Sequence, residues 1–157
     1  MTEERAREAV AKAAELLSHR SYSEAALRQR MVEKGFDEDE AAHAVSRLRE
    51  LALLDDALYA QELCRSCRAK GYGVIRARQE LAKRGVPREL ADEALASFQP
   101  EEEELVRFLK SKLRGSTDRG AVKRATDALF RRGFGWDDIS AALAALRCEW
   151  EEESGEI

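Results

Sequence analysis

A glycine recurs three times in the same surroundings, and that recurrence limits the fold more than any other feature of the chain. Met31-Val32-Glu33-Lys34-Gly35-Phe36, Leu81-Ala82-Lys83-Arg84-Gly85-Val86 and Leu129-Phe130-Arg131-Arg132-Gly133-Phe134 align with their glycines 50 and 48 residues apart. The register holds beyond the glycine: six residues on stand Ala41, Ala91 and Ile139; nine on, Ala44, Ala94 and Ala142; ten on, Val45, Leu95 and Leu143. A fixed period of this length is the mark of a repeat architecture.

Each glycine reads as the residue just past a helix, where a left-handed backbone costs least without a side chain. The Lys or Arg before it complements the negative end of the helix dipole. A second helix follows at once, with acidic residues or proline in its opening: Asp37-Glu38-Asp39-Glu40, Pro87-Arg88-Glu89 and Asp137-Asp138. An amphipathic segment precedes each pair, over roughly 5–18, 56–69 and 101–113. Ser21 with Glu24 predicts a capping box for the second helix, Asp55 or Asp56 a cap for the fourth, and Thr117 or Asp118 a cap for the eighth.

The expectation is an all-α chain of three tandem three-helix repeats, at 1–54, 55–98 and 99–150, with an acidic tail at 151–157. A unit of this size buries little surface alone, so the units should pack in series into an elongated, curved array suited to a groove. The scarcity of proline (2) beside 37% charged residues fits surface-charged helices. No apolar run approaches a membrane span, and the acidic start Met1-Thr2-Glu3-Glu4 is unlike a signal peptide, so a cytoplasmic protein is expected. Three cysteines suggest thiols rather than a disulfide framework.

Net charge of −4 hides opposed segments. Residues 1–63 hold 9 Lys+Arg against 14 Asp+Glu, residues 64–98 hold 8 against 4, and residues 99–157 hold 10 against 13. The middle segment is basic inside an acidic chain, which points to a localised binding face rather than bulk attraction to nucleic acid.

Leu54-Asp55-Asp56, Tyr59-Ala60, Gly71-Tyr72-Gly73, Arg76, Glu80-Leu81, Lys83 and Gly85 together resemble the signature of the RecX family of recombinase regulators. The resemblance extends over essentially the whole chain, is most specific in the second repeat and is looser in the third. It implies a non-enzymatic protein that lodges in the groove of the RecA recombinase filament and restrains ATP hydrolysis and strand exchange; a monomer without a cofactor is expected. It also implies a place in the regulation of recombination, DNA repair and the SOS response.

Comparing the middle helices position by position locates the candidate face. Nine residues before the glycine stand Ala26, Arg76 and Arg124; two before, Glu33, Lys83 and Arg131; one before, Lys34, Arg84 and Arg132. Repeats two and three thus share basic positions that repeat one lacks. With Val74, Ala77 and Leu81 as the core stripe, Arg76, Lys83 and Arg84 are expected to point outward, with Glu80 one turn from Arg76 and Arg84. Arg65, Arg68 and Lys70, and Lys110, Lys112 and Arg114, add charge near the ends of the first helices. Tyr72 joins the candidate partner-binding set of Arg65, Arg68, Lys70, Arg76, Lys83, Arg84, Lys110, Lys112, Arg124, Arg131 and Arg132. Such a face suits acidic patches of a protein filament, DNA within it, or, alternatively, DNA bound directly by a stand-alone nucleic-acid-binding repeat protein.

Other features read as structural. A DNA-reading helix-turn-helix needs donors at the start of its second helix, and Asp37-Glu38-Asp39-Glu40 and Asp137-Asp138 would meet phosphates with like charge. Cys64-Arg65-Ser66-Cys67 has metal-site spacing but no second pair, and only His19 and His43 accompany it, so packing is expected. Cys148 stands alone. Asp55 and Asp56 read as caps, Tyr59 and Tyr72 as seals between repeats, Trp136 and Trp150 as packing, and Glu101–Glu104 as a dipole-favoured helix start. No phosphate-binding loop or catalytic constellation is present.

Overall fold

The computed structural model describes residues 1–155, which form nine α-helices and no strand. They are α1 (Glu3–His19), α2 (Glu24–Glu33), α3 (Glu38–Glu50), α4 (Asp56–Ala69), α5 (Val74–Lys83), α6 (Arg88–Leu95), α7 (Glu102–Leu113), α8 (Arg119–Arg131) and α9 (Trp136–Gly155). This is the all-α array of three-helix repeats that the glycine register requires. No helix among the described residues is long and apolar enough to cross a membrane. The acidic stretch after Glu149 continues α9 as far as Gly155, and the remainder of the expected tail lies outside the described residues.

The three repeated glycines end their helices in the same way. Phe36 N–H donates to the Met31 carbonyl, Val86 to Leu81 and Phe134 to Leu129, while Gly35, Gly85 and Gly133 donate to Val32, Ala82 and Phe130. This is the Schellman pairing, which satisfies carbonyls a helix end otherwise leaves open. The caps fall where short polar side chains reach the first free amides. Asp55 accepts from Leu58 N–H, Asp118 from Ala121 N–H, and Asp37 with Glu40 forms a reciprocal capping box. The expected box at Ser21 is replaced by Ser23, whose hydroxyl is the atom adjacent to the helix and accepts from Ala26 N–H at 3.1 Å.

Packing divides the chain into two compact units. The first comprises residues 1–65 and 79–95. Its core gathers Ala9, Ala13 and Leu16 of α1, Leu27 and Met31 of α2, and Ala41, Ala44, Val45 and Leu48 of α3, with Leu54 beneath. The second comprises, among the described residues, 66–78 and 96–155. There α7 packs on α8 and α9 through Leu105, Val106, Leu109, Leu113, Leu129, Phe134, Ile139 and Leu146. The residues of α4 and α5 are shared between the two.

Within each unit, one middle helix docks its amino end on the carboxyl end of the middle helix one repeat later. In the first unit, the Ser23 hydroxyl at the start of α2 donates to the Arg84 carbonyl at the end of α5. In the second, Gly73 N–H at the start of α5 donates to the Arg132 carbonyl at 2.8 Å, and Ile75 N–H to the Gly133 carbonyl at 3.0 Å, at the end of α8. Ser23 and Gly73 occupy the same repeat position, twelve before the glycine, as do Arg84 and Arg132, one before it. In the second unit the free amides of one helix thus satisfy the free carbonyls of the other, in the first the Ser23 hydroxyl bridges amide and carbonyl, and in both the dipoles meet with opposite sign. The approach at Gly73 is so close that a β-carbon would overlap the Gly133 carbonyl, and one on Gly133 would overlap Arg76.

Arg5 covers the corresponding carboxyl end of α2 from within its own repeat. Its guanidinium lies 4.4 Å over the Phe36 ring, donates to the Gly35 carbonyl at 3.3 Å and pairs with Glu40 at 2.9 Å. The Arg5 bond and the Asp37 N–H hold the Glu40 carboxyl below the usual carboxylate range. At the other end of the register, α8 starts one turn earlier than its counterparts, with its own cap at Asp118.

Asp56, expected as a possible cap, instead ties α4 to α2: its carboxylate accepts from Glu24 N–H at 2.9 Å while the Glu24 side chain bonds Arg49. Burial pushes the Asp56 carboxyl up, against the lowering effect of that amide. A raised carboxyl favours the fold most when protonated, and this contribution is lost as pH rises through the raised value. Asp56→Asn is therefore expected to gain stability relative to the native chain at neutral pH, an advantage that vanishes in acid, whereas Asp56→Ala should lose about 1–3 kcal/mol by stranding the Glu24 amide. Urea midpoints at the two pH values check both. Gly35→Ala, with open space around it and φ of +102°, should cost about 1–2 kcal/mol, and Gly133→Ala distinctly more because backbone and Arg76 stand in the way.

Candidate partner-binding surface

Docking of the middle helices sorts the candidate cations into two groups. Those one before the glycine are held in place: Arg84 is half-buried and its guanidinium donates to the Tyr59 hydroxyl at 3.4 Å. Arg132 lies with its guanidinium 4.7 Å over the Phe108 ring and against the Gly71 backbone. Arg76, nine before its glycine, is also half-buried and folds over Tyr72 at 4.4 Å. Arg76 and Arg84 therefore do not point fully outward as the helical stripe alone predicts. The stripe itself is shifted, since Gly73, Ala77 and Leu81 are buried and Val74 only partly.

The positions two before the glycine, Lys83 and Arg131, are exposed, and so is Arg124. In the second unit, Arg124 and Arg131 stand seven residues apart on α8 and so share a face. Lys112 from α7 joins them around a shallow cleft of about 250 Å³ whose floor is Ala121, Ala125 and Ala128. Alanine is what opens this cleft: its short side chain leaves the three long cations standing around a depression. Lys112 also lies 5.6 Å from the Phe108 ring that carries Arg132. Lys110 is exposed but paired with Glu149 at 2.6 Å. Arg65, Arg68 and Lys70 are exposed on and just after α4.

Cys64 and Cys67 are buried, as packing residues should be, and Cys148 is exposed. No group of three metal-ligating side chains occurs among the described residues. Two apolar features escaped the sequence reading. Of the run Leu51-Ala52-Leu53-Leu54, only Leu54 is buried, and Leu53 and Leu58 border a cleft of about 450 Å³ with Leu17, Tyr22 and Tyr59 in the first unit. Trp136, expected to pack, is 60% exposed. The run was visible as sequence, but which of its residues turn inward depends on the chain leaving α3 through Ala52, which has φ of +59°.

The arrangement has known counterparts. The family models described as "RecX, first three-helix domain" and "RecX, second three-helix domain" match residues 9–48 and 55–95. The chain belongs to the RecX family. A protein named "Regulatory protein RecX" from Thermus thermophilus is 38% identical over 148 residues, 94% of this chain and 96% of that one. Another of that name, from Stenotrophomonas maltophilia, is 34% identical over 136 residues, covering 85% and 83%. The crystal structure of RecX from Lactobacillus salivarius shares the fold, with a TM-score of 0.85 at 20% identity over 94% of this chain and 99% of that one. Family membership therefore holds over most of the length, and the resemblance first carried by the second repeat extends to the first.

Charge reversal at Lys112, Arg124 and Arg131 should leave stability within about 0.5 kcal/mol per site, since all three are exposed. Arg132→Ala should cost about 1 kcal/mol through its lost ring contact and packing. Thermal melts of the four variants separate cations that hold the fold from cations that face outward.

Proposed function

We propose that this RecX-family chain is a non-catalytic regulator that binds the RecA recombinase filament and restrains its ATP hydrolysis and strand exchange. The observation that carries the reading is the three-cation cleft of Lys112, Arg124 and Arg131, together with membership of a family whose matched relatives are named regulatory proteins. Exposed cations on a rigid helical face can meet acidic patches of a filament or phosphates of the DNA it holds, giving fast association and orientation more than raw affinity. Lys83, Arg65, Arg68 and Lys70 extend the candidate surface, while Arg76, Arg84 and Arg132 serve it by fixing the helices that present it. The protein acts in the cytoplasm, as a monomer, without a cofactor.

The test is DNA-dependent ATP hydrolysis by RecA titrated with this protein. Progressive inhibition is expected, and none at stoichiometric excess would overturn the reading. Reversing Lys112, Arg124 and Arg131 together should weaken inhibition at least about tenfold, equivalent to about 1.4 kcal/mol, with the fold retained. Binding to naked DNA that falls steeply with salt, without affinity for filaments, would instead assign the same cleft to phosphate contacts in a stand-alone nucleic-acid-binding protein.

A further inference from the structure

The face of α8 opposite the three-cation cleft carries a second site of different chemistry. Val122 of α8 and Leu143 of α9 floor a cleft of about 380 Å³, Trp136 and Trp150 line it, and Arg119, Lys123 and Arg147 surround it. The placing is helical: Trp136, Leu143, Arg147 and Trp150 fall at i, i+7, i+11 and i+14 along α9, one continuous stripe. Trp150 packs partly into the core, but Trp136 stays 60% exposed. Its ring lies parallel to that of Phe130, itself 44% exposed, with centroids 6.2 Å apart and 6° between planes. The fold thus leaves two large rings in water and props one against the other, so Trp136 is a supported platform.

Two tryptophans and two arginines around one depression is the composition of an interface anchor, where a large ring is buried and charges at its edge fix register. We infer that this cleft docks a segment of a partner protein that lays an apolar side chain on Val122 and Leu143, in the depression bounded by Trp136 at one end and Trp150 at the other, and sets carboxylates against Arg119 and Arg147. Charge complementarity names the partner's sign. The local acids name its class: Asp127, which holds Lys123 at 3.1 Å, Asp137 and Asp138 directly after Trp136, and Glu151 after Trp150 would oppose a continuous phosphodiester backbone, whereas individual carboxylates can be placed clear of them. The site lies outside residues 9–48 and 55–95, the part of the chain matched by the family models, and it does not depend on the recombinase reading.

The chain has two tryptophans and both line this cleft, so its intrinsic tryptophan fluorescence reports the site directly. The probe is a blocked short peptide with one phenylalanine flanked on both sides by glutamates, titrated into the full chain. A saturable blue shift of emission is expected, lost on replacing the peptide's phenylalanine by glycine. In W136F a smaller shift should persist through Trp150, and Arg119→Glu with Arg147→Glu should weaken the peptide at least about tenfold with an unchanged melting curve. Absence of a saturable shift at millimolar peptide overturns the proposal. So does equal binding by the Arg119→Glu/Arg147→Glu variant, or saturation by oligothymidylate where the peptide fails, which would assign the cleft to nucleic acid.

Discussion

The mutual capping of middle helices is the interaction on which the rest depends. A helix leaves its first amides and last carbonyls unpaired, and a short helix has no turns to spare for fraying. Here α5 has ten residues and both its ends are committed, its Gly73 and Ile75 amides to α8 and its Arg84 carbonyl to the Ser23 hydroxyl of α2. The helix is therefore held at its ends by neighbours from the adjoining repeats, and this is why its residues divide between two compact units. Glycine at 73 and 133 follows from the same contact, because backbone meets backbone there without room for a side chain.

That arrangement decides which charges are available for recognition. Arg84 and Arg132 look equivalent to their neighbours Lys83 and Arg131 in sequence, yet they lie where one helix meets the next: Arg84 donates to the Tyr59 hydroxyl, Arg132 lies over the Phe108 ring, and the carbonyl of each is taken. One residue earlier on the helix, the side chain swings about 100° around the axis and faces solvent. A cation held by the fold and an exposed cation thus alternate along the same dipeptide. The third repeat adds what the second lacks, an alanine floor on one face of α8 and a tryptophan pair on the other.

Much of this was legible in residues. The three glycines, their Lys or Arg partners and the acidic openings specify helix ends, and the Schellman pairings and the caps at Asp55 and Asp118 follow them. Less legible were contacts between residues far apart in the chain. Ser23 caps α2 locally through Ala26 N–H, but its second role, the bond to the Arg84 carbonyl, lies 61 residues away. Asp56 read as a cap because nothing local reveals that Glu24 stands beside it. Trp136 read as packing because a tryptophan usually is, and only the position of α8 shows that Phe130 supports it at the surface.

By itself the sequence determined an all-helical, threefold chain of the RecX family with unlike charge in its repeats, because helix ends, apolar register and turn glycines are set within a few residues and recur at a fixed period. Only the tertiary structure decided which cations face outward, which hold the fold and where the tryptophans lie. Those outcomes depend on how helices separated by tens of residues meet, and a one-residue step around a helix is enough to exchange the two roles.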